Sequence, residues 1–438
     1  MPSGSNDGGA LEGGLGEGES GAGPSGDPRS VLLLTPREGV PPVVETAAAL
    51  AATVDALGRG TGPVAVDAER ASGYRYGQRA YLVQLRRSGA GTALIDPIAC
   101  PDLSALGDAI TDAEWVLHAA SQDLPCLAGI GLRPGRLFDT ELAGRLAGFE
   151  RVGLGAMVER VLGIRLEKGH SAADWSRRPL PEPWLRYAAL DVEVLVDLRD
   201  ALEEELRRQD KLAWAHEEFA ALAVAPLPLP RREPWRRTSG IHRVRNRRQL
   251  AALRALWEVR DALAAKRDVA PGRLLPDAAL VAAATSGPAT LEALRAISGF
   301  GGRAVRGNAE PFLAALAAAT ALPDDELPSS TPSYDGPPPA ARWADRDPVA
   351  AERLTAARAT VTAIADGHRL PVENLLSPDL VRRLAWTPPE PLTAAAVAEV
   401  MTAAGARSWQ VGLTADPLTD ALAAAPEGPA EPLAEPPG

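Results

Sequence analysis

The chain has 438 residues, 46% of them hydrophobic, with 46 basic against 57 acidic side chains and a formal net charge of −11. That hydrophobic fraction suffices for packed cores in several domains of roughly 100–200 residues each and excludes a wholly disordered chain; the acidic balance, taken over the whole molecule, speaks against a partner as anionic as nucleic acid. Two cysteines, Cys100 and Cys126, exclude a disulfide framework or a four-ligand cysteine zinc site, and no apolar run approaches the roughly 20 residues that span a bilayer.

Residues 1–29 are Gly/Ser/Glu-rich and read as a disordered acidic tail. They lack the basic start and apolar stretch of a signal peptide, so a soluble cytoplasmic protein with two reduced cysteines is expected. Over residues 30–225 strands and helices alternate. Pro63-Val-Ala-Val-Asp-Ala-Glu69, Ala80-Tyr-Leu-Val-Gln-Leu85 and Thr92-Ala-Leu-Ile-Asp96 read as neighbouring strands, with Trp115-Val-Leu-His118 as a further one. Helices are expected near 102–110, 122–129, 139–147, 153–162, 184–208 and 211–220, which completes a mixed α/β domain. Pro226-Leu-Pro-Leu-Pro230 cannot continue a helix and opens a basic Pro/Arg linker over 226–248. Residues 249–321 form an all-helical module, broken at Pro271-Gly272, Pro276, Gly287-Pro288 and Gly299-Phe-Gly-Gly302. An acidic, Pro-rich exposed linker follows over 322–341, then a second helical module over 342–425 and a Pro/Glu/Ala tail over 426–438.

Three acidic features stand out. Asp67 and Glu69 are two apart on an apolar strand, so both carboxylates project from one face at its C-terminal end. Two like charges there are unfavourable unless a cation lies between them, although a surface strand of alternating polarity gives the same pattern. Asp123 follows the strand ending at His118 and opens a helix at Leu124-Pro125, where it could equally be an N-cap. Tyr187 and Asp191 are four apart, which puts phenol and carboxylate on one helical face, as in many half-buried helix pairs. His118 reads as structural, Asp139 as the cap of the helix after it, and Trp175 as core.

In this order, D-x-E on a strand, then Asp, then Y-x-x-x-D on a helix, the residues resemble the DEDD superfamily of 3′-to-5′ exonucleases, in its tyrosine branch and the ribonuclease D family. The stretches His118-Ala-Ala-Ser-Gln-Asp-Leu124, Phe138-Asp139-Thr140 and Tyr187-Ala-Ala-Leu-Asp-Val192 carry the likeness. Residues 249–321, with Leu256-Trp257, Arg260-Asp261 and Ile297-Ser-Gly-Phe-Gly301, resemble the HRDC domain shared with RecQ-type helicases, and 342–425 looks like a more divergent second copy. The resemblance implies a ribonuclease H-like α/β exonuclease domain, a mixed sheet with flanking helices, followed by all-α HRDC-type modules. It also implies that Asp67, Glu69, Asp123 and Asp191 bind two divalent cations, Mg²⁺ or Mn²⁺, and that Tyr187 orients the attacking water. The reaction would release nucleoside 5′-monophosphates from single-stranded RNA 3′ ends, tRNA precursors among them, by a monomeric enzyme. Single-stranded DNA as substrate, and a catalytically silent nucleic-acid-binding protein on the same fold, are the alternatives. No G-x-x-x-x-G-K-[ST] is present, so no nucleotide cofactor is expected. The chain departs from the family pattern at Arg70-Ala71, where an aromatic or apolar residue often follows the glutamate, and at Gln122.

Tyr74 and Tyr76 are candidates for stacking on a base, and Lys168 and Arg177 for phosphate contact. The net charge, apportioned, removes the objection to an anionic partner. Residues 1–29, 322–341 and 426–438 together carry −11, the whole imbalance, while 226–248 holds eight Arg and one Glu. Arg231, Arg232, Arg236 and Arg237, beside Trp235, are expected to track phosphates at the junction of nuclease and helical module, although a solvated basic linker would have the same composition.

Overall fold

Pairing of six strands makes the centre of the nuclease region: β2 (Val43–Val44), β3 (Thr61–Arg70), β4 (Ala80–Ser88), β5 (Gly91–Ile95), β6 (Glu114–Leu117) and β7 (Arg136–Asp139). The computed structural model describes residues 31–424 apart from 168, 230, 303, 304, 306 and 332–335, so both tails lie outside the described residues. The strands lie in the order β2-β5-β4-β3-β6-β7, with β3–β4–β5 antiparallel and the β2–β5, β3–β6 and β6–β7 pairs parallel. A separate parallel pair joins β1 (Val31–Leu33) to β8 (Ile164–Leu166).

Alternation along β3 decides which side each residue serves. Val64, Val66 and Ala68 pack with Leu57, Leu106, Trp115 and Leu127 under the helices Ala47–Arg59, Ser104–Ala109 and Leu124–Ala128. Ala65 faces the opposite layer, with Val116, Phe138, Val192, Leu195 and Leu198. Asp67 and Glu69 continue the row that Ala65 begins, and so point toward the helices that follow residue 180. Those helices are Glu182–Glu193 and Leu195–Arg208, not one continuous 184–208 helix; Val194 separates them at φ −103° and ψ −7°. The break lets Asp191 face the C-terminal end of β3 while Leu195, Leu198, Leu202 and Leu206 fill the core. The short strands β1, β2, β7 and β8 have no counterpart in the sequence reading, because two to four residues are too few to show a period; the helix Ala47–Arg59 has none either.

Among the described residues, both C-terminal domains share a succession of five helices. The first has Arg247–Arg267, Pro271–Leu274, Asp277–Ser286, Leu291–Ala296 and Ala309–Ala321; the second has Pro348–His368, Val372–Leu375, Pro378–Trp386, Ala394–Ala403 and Ser408–Ala423. Each long helix ends on a left-handed residue, Asp268 at φ 49° and Arg369 at φ 53°. Their packing differs. The first keeps a core of its own around Leu253, Leu256, Leu280, Phe300 and Phe312. In the second, Trp343, Leu354, Val361 and Trp409 share one continuous core with Leu198, Leu206 and Phe219 of the nuclease region. The acidic linker is also partly held: Leu327 is buried, and Arg247 and Arg248 donate to the carbonyls of Leu327 and Thr320 and to Asp324.

Candidate active site

Three carboxylates converge where β3 ends. Single oxygens of Asp67, Glu69 and Asp191 all lie within 4.8 Å of one another. Strand alternation supplies the first two and the helix Glu182–Glu193 the third. Asp123 arrives from the neighbouring strand: β6 runs parallel to β3 with Ala65 opposite Val116, so the chain leaving β6 emerges beside the carboxylates. There Ala119 turns in a left-handed conformation and a 3₁₀ turn at Ala120–Gln122 delivers Asp123. Asp139 fixes that turn. Its buried carboxylate accepts from Ala119 N–H (3.1 Å) and Ala120 N–H (2.9 Å), and from Glu141 and Leu142 N–H at the start of the helix Thr140–Leu146. The expected helix cap therefore also holds the turn that carries Asp123, and burial pushes its carboxyl up to about 6. Asp123 makes no side-chain cap bond of its own.

The cluster is strongly frustrated electrostatically. Burial, then Asp67, Asp191 and Asp123, push the Glu69 carboxyl well above its ordinary value. Burial and Asp67 do the same to Asp191 and Asp123, and burial raises Asp67 itself. Buried like charges of this kind call for a compensating cation. An all-oxygen set suits a hard divalent ion. Gln84, opposite Asp67 in the β3–β4 ladder and fully buried, has neither end of its carboxamide hydrogen-bonded, so further polar capacity lies beside the carboxylates. Tyr187 hydrogen-bonds Asp191; burial first, then Asp191, Glu69 and Asp67, drive its phenol far above its ordinary pKa. It therefore stays protonated.

These residues line a cleft of about 1510 Å³ together with Glu167 and Gly169–Ala173, which form part of its wall. His170 meets Tyr187 edge-on at 6.0 Å, and Trp175 packs behind both with its indole N–H on the His170 carbonyl. Trp175 is fully buried. The wall is tied to the sheet by Arg178, which grips Asp96 through two bonds of 2.6 and 2.9 Å and also donates to the Tyr81 carbonyl. Burial alone would raise the Asp96 carboxyl, yet Arg178 and the Ile98 and Ala99 N–H groups hold it below its ordinary value. Nothing in the sequence signals this pair, because its members are 82 residues apart. His118 lines the cleft too, but it bonds Thr140 at 2.9 Å and burial holds its imidazole down to about 4, so it is neutral and structural.

The candidate substrate contacts divide. Lys168 lies outside the described residues, and Arg177 is exposed. Tyr74 and Tyr76 are engaged by the first helical domain: Arg273 lies over the Tyr74 ring at 3.8 Å, Ala270 N–H donates to the Tyr74 carbonyl, and the Tyr76 hydroxyl donates to Asp261 at 2.9 Å. That domain thereby clamps the 71–79 loop, whose Ser72, Gly73 and Gln78 line the cleft. Arg236 stacks on buried Trp235 and bonds Glu233 and the Ser329 carbonyl, while Arg231, Arg232 and Arg237 are exposed. The residue noted only as a departure, Arg70, reaches into the site: it donates to the Gln122 carbonyl at 3.0 Å and pairs with Asp123 at 3.5 Å.

Comparison with known proteins agrees with this geometry. Residues 41–207 match the family described as 3′-5′ exonuclease, 249–316 the HRDC domain, and 336–422 the 3′ to 5′ exonuclease C-terminal domain. The second helical domain, read from sequence as a divergent HRDC copy, thus matches a separate family while keeping the same helix succession. Ribonuclease D of Gluconacetobacter diazotrophicus is 36% identical over 284 residues, which cover 63% of this chain and 71% of that one. The crystal structure of a protein from Bifidobacterium adolescentis is 39% identical with a TM-score of 0.83, over 90% of this chain and 100% of that one. Escherichia coli RNase D, an exoribonuclease involved in structured RNA processing, is 27% identical with a TM-score of 0.61, over 83% and 98%. With four carboxylates and a tyrosine in one cleft and these relatives across most of its length, the chain belongs to the ribonuclease D family of hydrolytic 3′-to-5′ exonucleases.

Proposed function

We propose that this exoribonuclease works with two divalent cations, Mg²⁺ or Mn²⁺, and shortens single-stranded RNA from its 3′ end, tRNA precursors among its substrates, as a cytoplasmic monomer without a nucleotide cofactor. The observation that carries this reading is the convergence of Asp67, Glu69 and Asp191 within 4.8 Å, with Asp123 alongside. Cations held by these carboxylates would supply Lewis acidity and a water of lowered pKa for attack on phosphorus. The protein's own residues do the rest. Tyr187, protonated and tied to Asp191, orients the attacking water by hydrogen bonding and takes no proton from it. His170, on the cleft wall, packs edge-on against the Tyr187 ring.

The test is a 5′-labelled single-stranded RNA, run beside the matched DNA. Stepwise shortening of the RNA with Mg²⁺ or Mn²⁺, stopped by EDTA, supports the reading; equal or faster shortening of the DNA would shift it to a DNA exonuclease. Tyr187→Phe is expected to slow the RNA reaction about a hundredfold while Mn²⁺ binding, read by calorimetry, is retained.

A linked expectation concerns pH. All four carboxyls sit above their ordinary values when no cation is bound, so the folded protein binds more protons than the unfolded chain. The contribution of these four groups to the stability of the cation-free protein is then greatest below the unfolded carboxyl values of about 4, and falls as pH rises through the raised ones. Urea unfolding in EDTA at about pH 5 and about pH 7.5 should show the lower midpoint at the higher pH, with Mg²⁺ restoring it.

A further inference from the structure

Among the described residues, three of the four acidic side chains gather, and the fourth does not join them: the oxygens within 4.8 Å belong to Asp67, Glu69 and Asp191. Asp123 instead faces the Arg70 guanidinium at 3.5 Å, with their side chains 9% and 27% exposed. Arg70 directly follows Glu69, and strand alternation alone would turn it to the other side of the sheet. The β3–β4 register shifts between Glu69 and Arg70, an irregularity of the kind that re-aims a side chain. The result is an arginine that lines the same cleft as Asp67, Glu69 and Asp123 and reaches across it to the Gln122 carbonyl.

We infer that Arg70 is a positioning residue that holds Asp123 before substrate binds and passes to a phosphate oxygen of the RNA when Asp123 takes up the second cation. The inference rests on the two-cation reading above and adds an order of events to it. A cation on Asp123 beside a guanidinium would set two positive charges against each other, which is unfavourable in a partly buried site. A phosphodiester between them removes the conflict. The charges also balance: two divalent cations neutralise four carboxylates, and the single charge of Arg70 is left for the single charge of the phosphodiester. A guanidinium, with five N–H donors in a planar fork, matches phosphate oxygens as well as carboxylate ones.

The experiment titrates Mn²⁺ into the full-length protein by calorimetry, with free Mn²⁺ followed by paramagnetic resonance, in the absence and presence of uridine 5′-monophosphate. The wild type should take up one tight Mn²⁺ alone and two with the nucleotide. Arg70→Gln should take up two without nucleotide and bind the nucleotide about ten- to a hundredfold more weakly. Arg70→Lys should recover part of the nucleotide affinity, which a purely structural loss would not allow. Two equally tight Mn²⁺ on the wild type without nucleotide, or unchanged nucleotide affinity in Arg70→Gln, overturns the role of Arg70 and leaves the two-cation reading standing. A wild type that binds no Mn²⁺ under either condition overturns both.

Discussion

Asp67→Asn is expected to lower exonuclease activity at least about a thousandfold while leaving the cation-free protein as stable as the wild type, or more so. Asp67 is the hub of the site: its charge acts on Glu69, Asp123, Asp191 and Tyr187 alike. Asparagine keeps the shape of the side chain on β3 and removes the repulsion that raises its neighbours, so the fold gains where catalysis loses. The measurements are kcat/KM on a single-stranded RNA and the urea midpoint in EDTA. A matching fall in both would mean that the strand itself had been damaged, and activity near that of the wild type would refute the assignment of the site.

The second large effect lies away from the chemistry, where the C-terminal helical domain meets the nuclease region. Lys211 is buried and donates to the carbonyls of Leu146 at 2.7 Å and His368 at 2.6 Å, bridging the two. Trp214 stacks on Trp409 at 5.0 Å, and the Trp409 indole donates to Glu218. Lys211→Met would leave two carbonyls without their shared donor in a buried seam, at a cost of about 2–4 kcal/mol in unfolding free energy. Gly148 belongs to the same seam. It sits at φ +81°, and a Cβ there would fall 2.8 Å from the Arg369 carbonyl oxygen, so Gly148→Ala should destabilise through both strain and collision. Denaturant unfolding of the whole chain reads both substitutions; unchanged midpoints would show that the seam contributes nothing to the shared core.

The placement of the carboxylates and the tyrosine in one cleft was legible because its geometry is local. Two residues apart on a strand and four apart on a helix fix which side chains share a face before any tertiary contact forms, and Asp139 could be read as a cap for the same reason. The helix stop before Pro226 and the helical character of both later domains were legible too, from prolines and apolar spacing. The short strands β2 and β7 were not, since pairing to their neighbours in the sheet makes them strands. Tyr74, Tyr76 and Arg236 show the limit from another side. Exposed aromatic and basic residues in a nuclease suggest stacking and phosphate contact. Tyr76 instead finds Asp261, 185 residues on, and Arg236 finds the Ser329 carbonyl, 93 residues on.

The sequence by itself determined the carboxylates, the tyrosine, the faces they occupy and the order of the domains, because each depends on backbone periods of two and 3.6 residues. Only the tertiary structure decided that three carboxylates gather while Arg70 holds the fourth. It also decided that one helical domain clamps the loop after β3 while the other shares the nuclease core. Those outcomes depend on which distant surfaces meet, and a side chain's partner in a packed interior is set by its neighbours in space rather than by its neighbours in the chain.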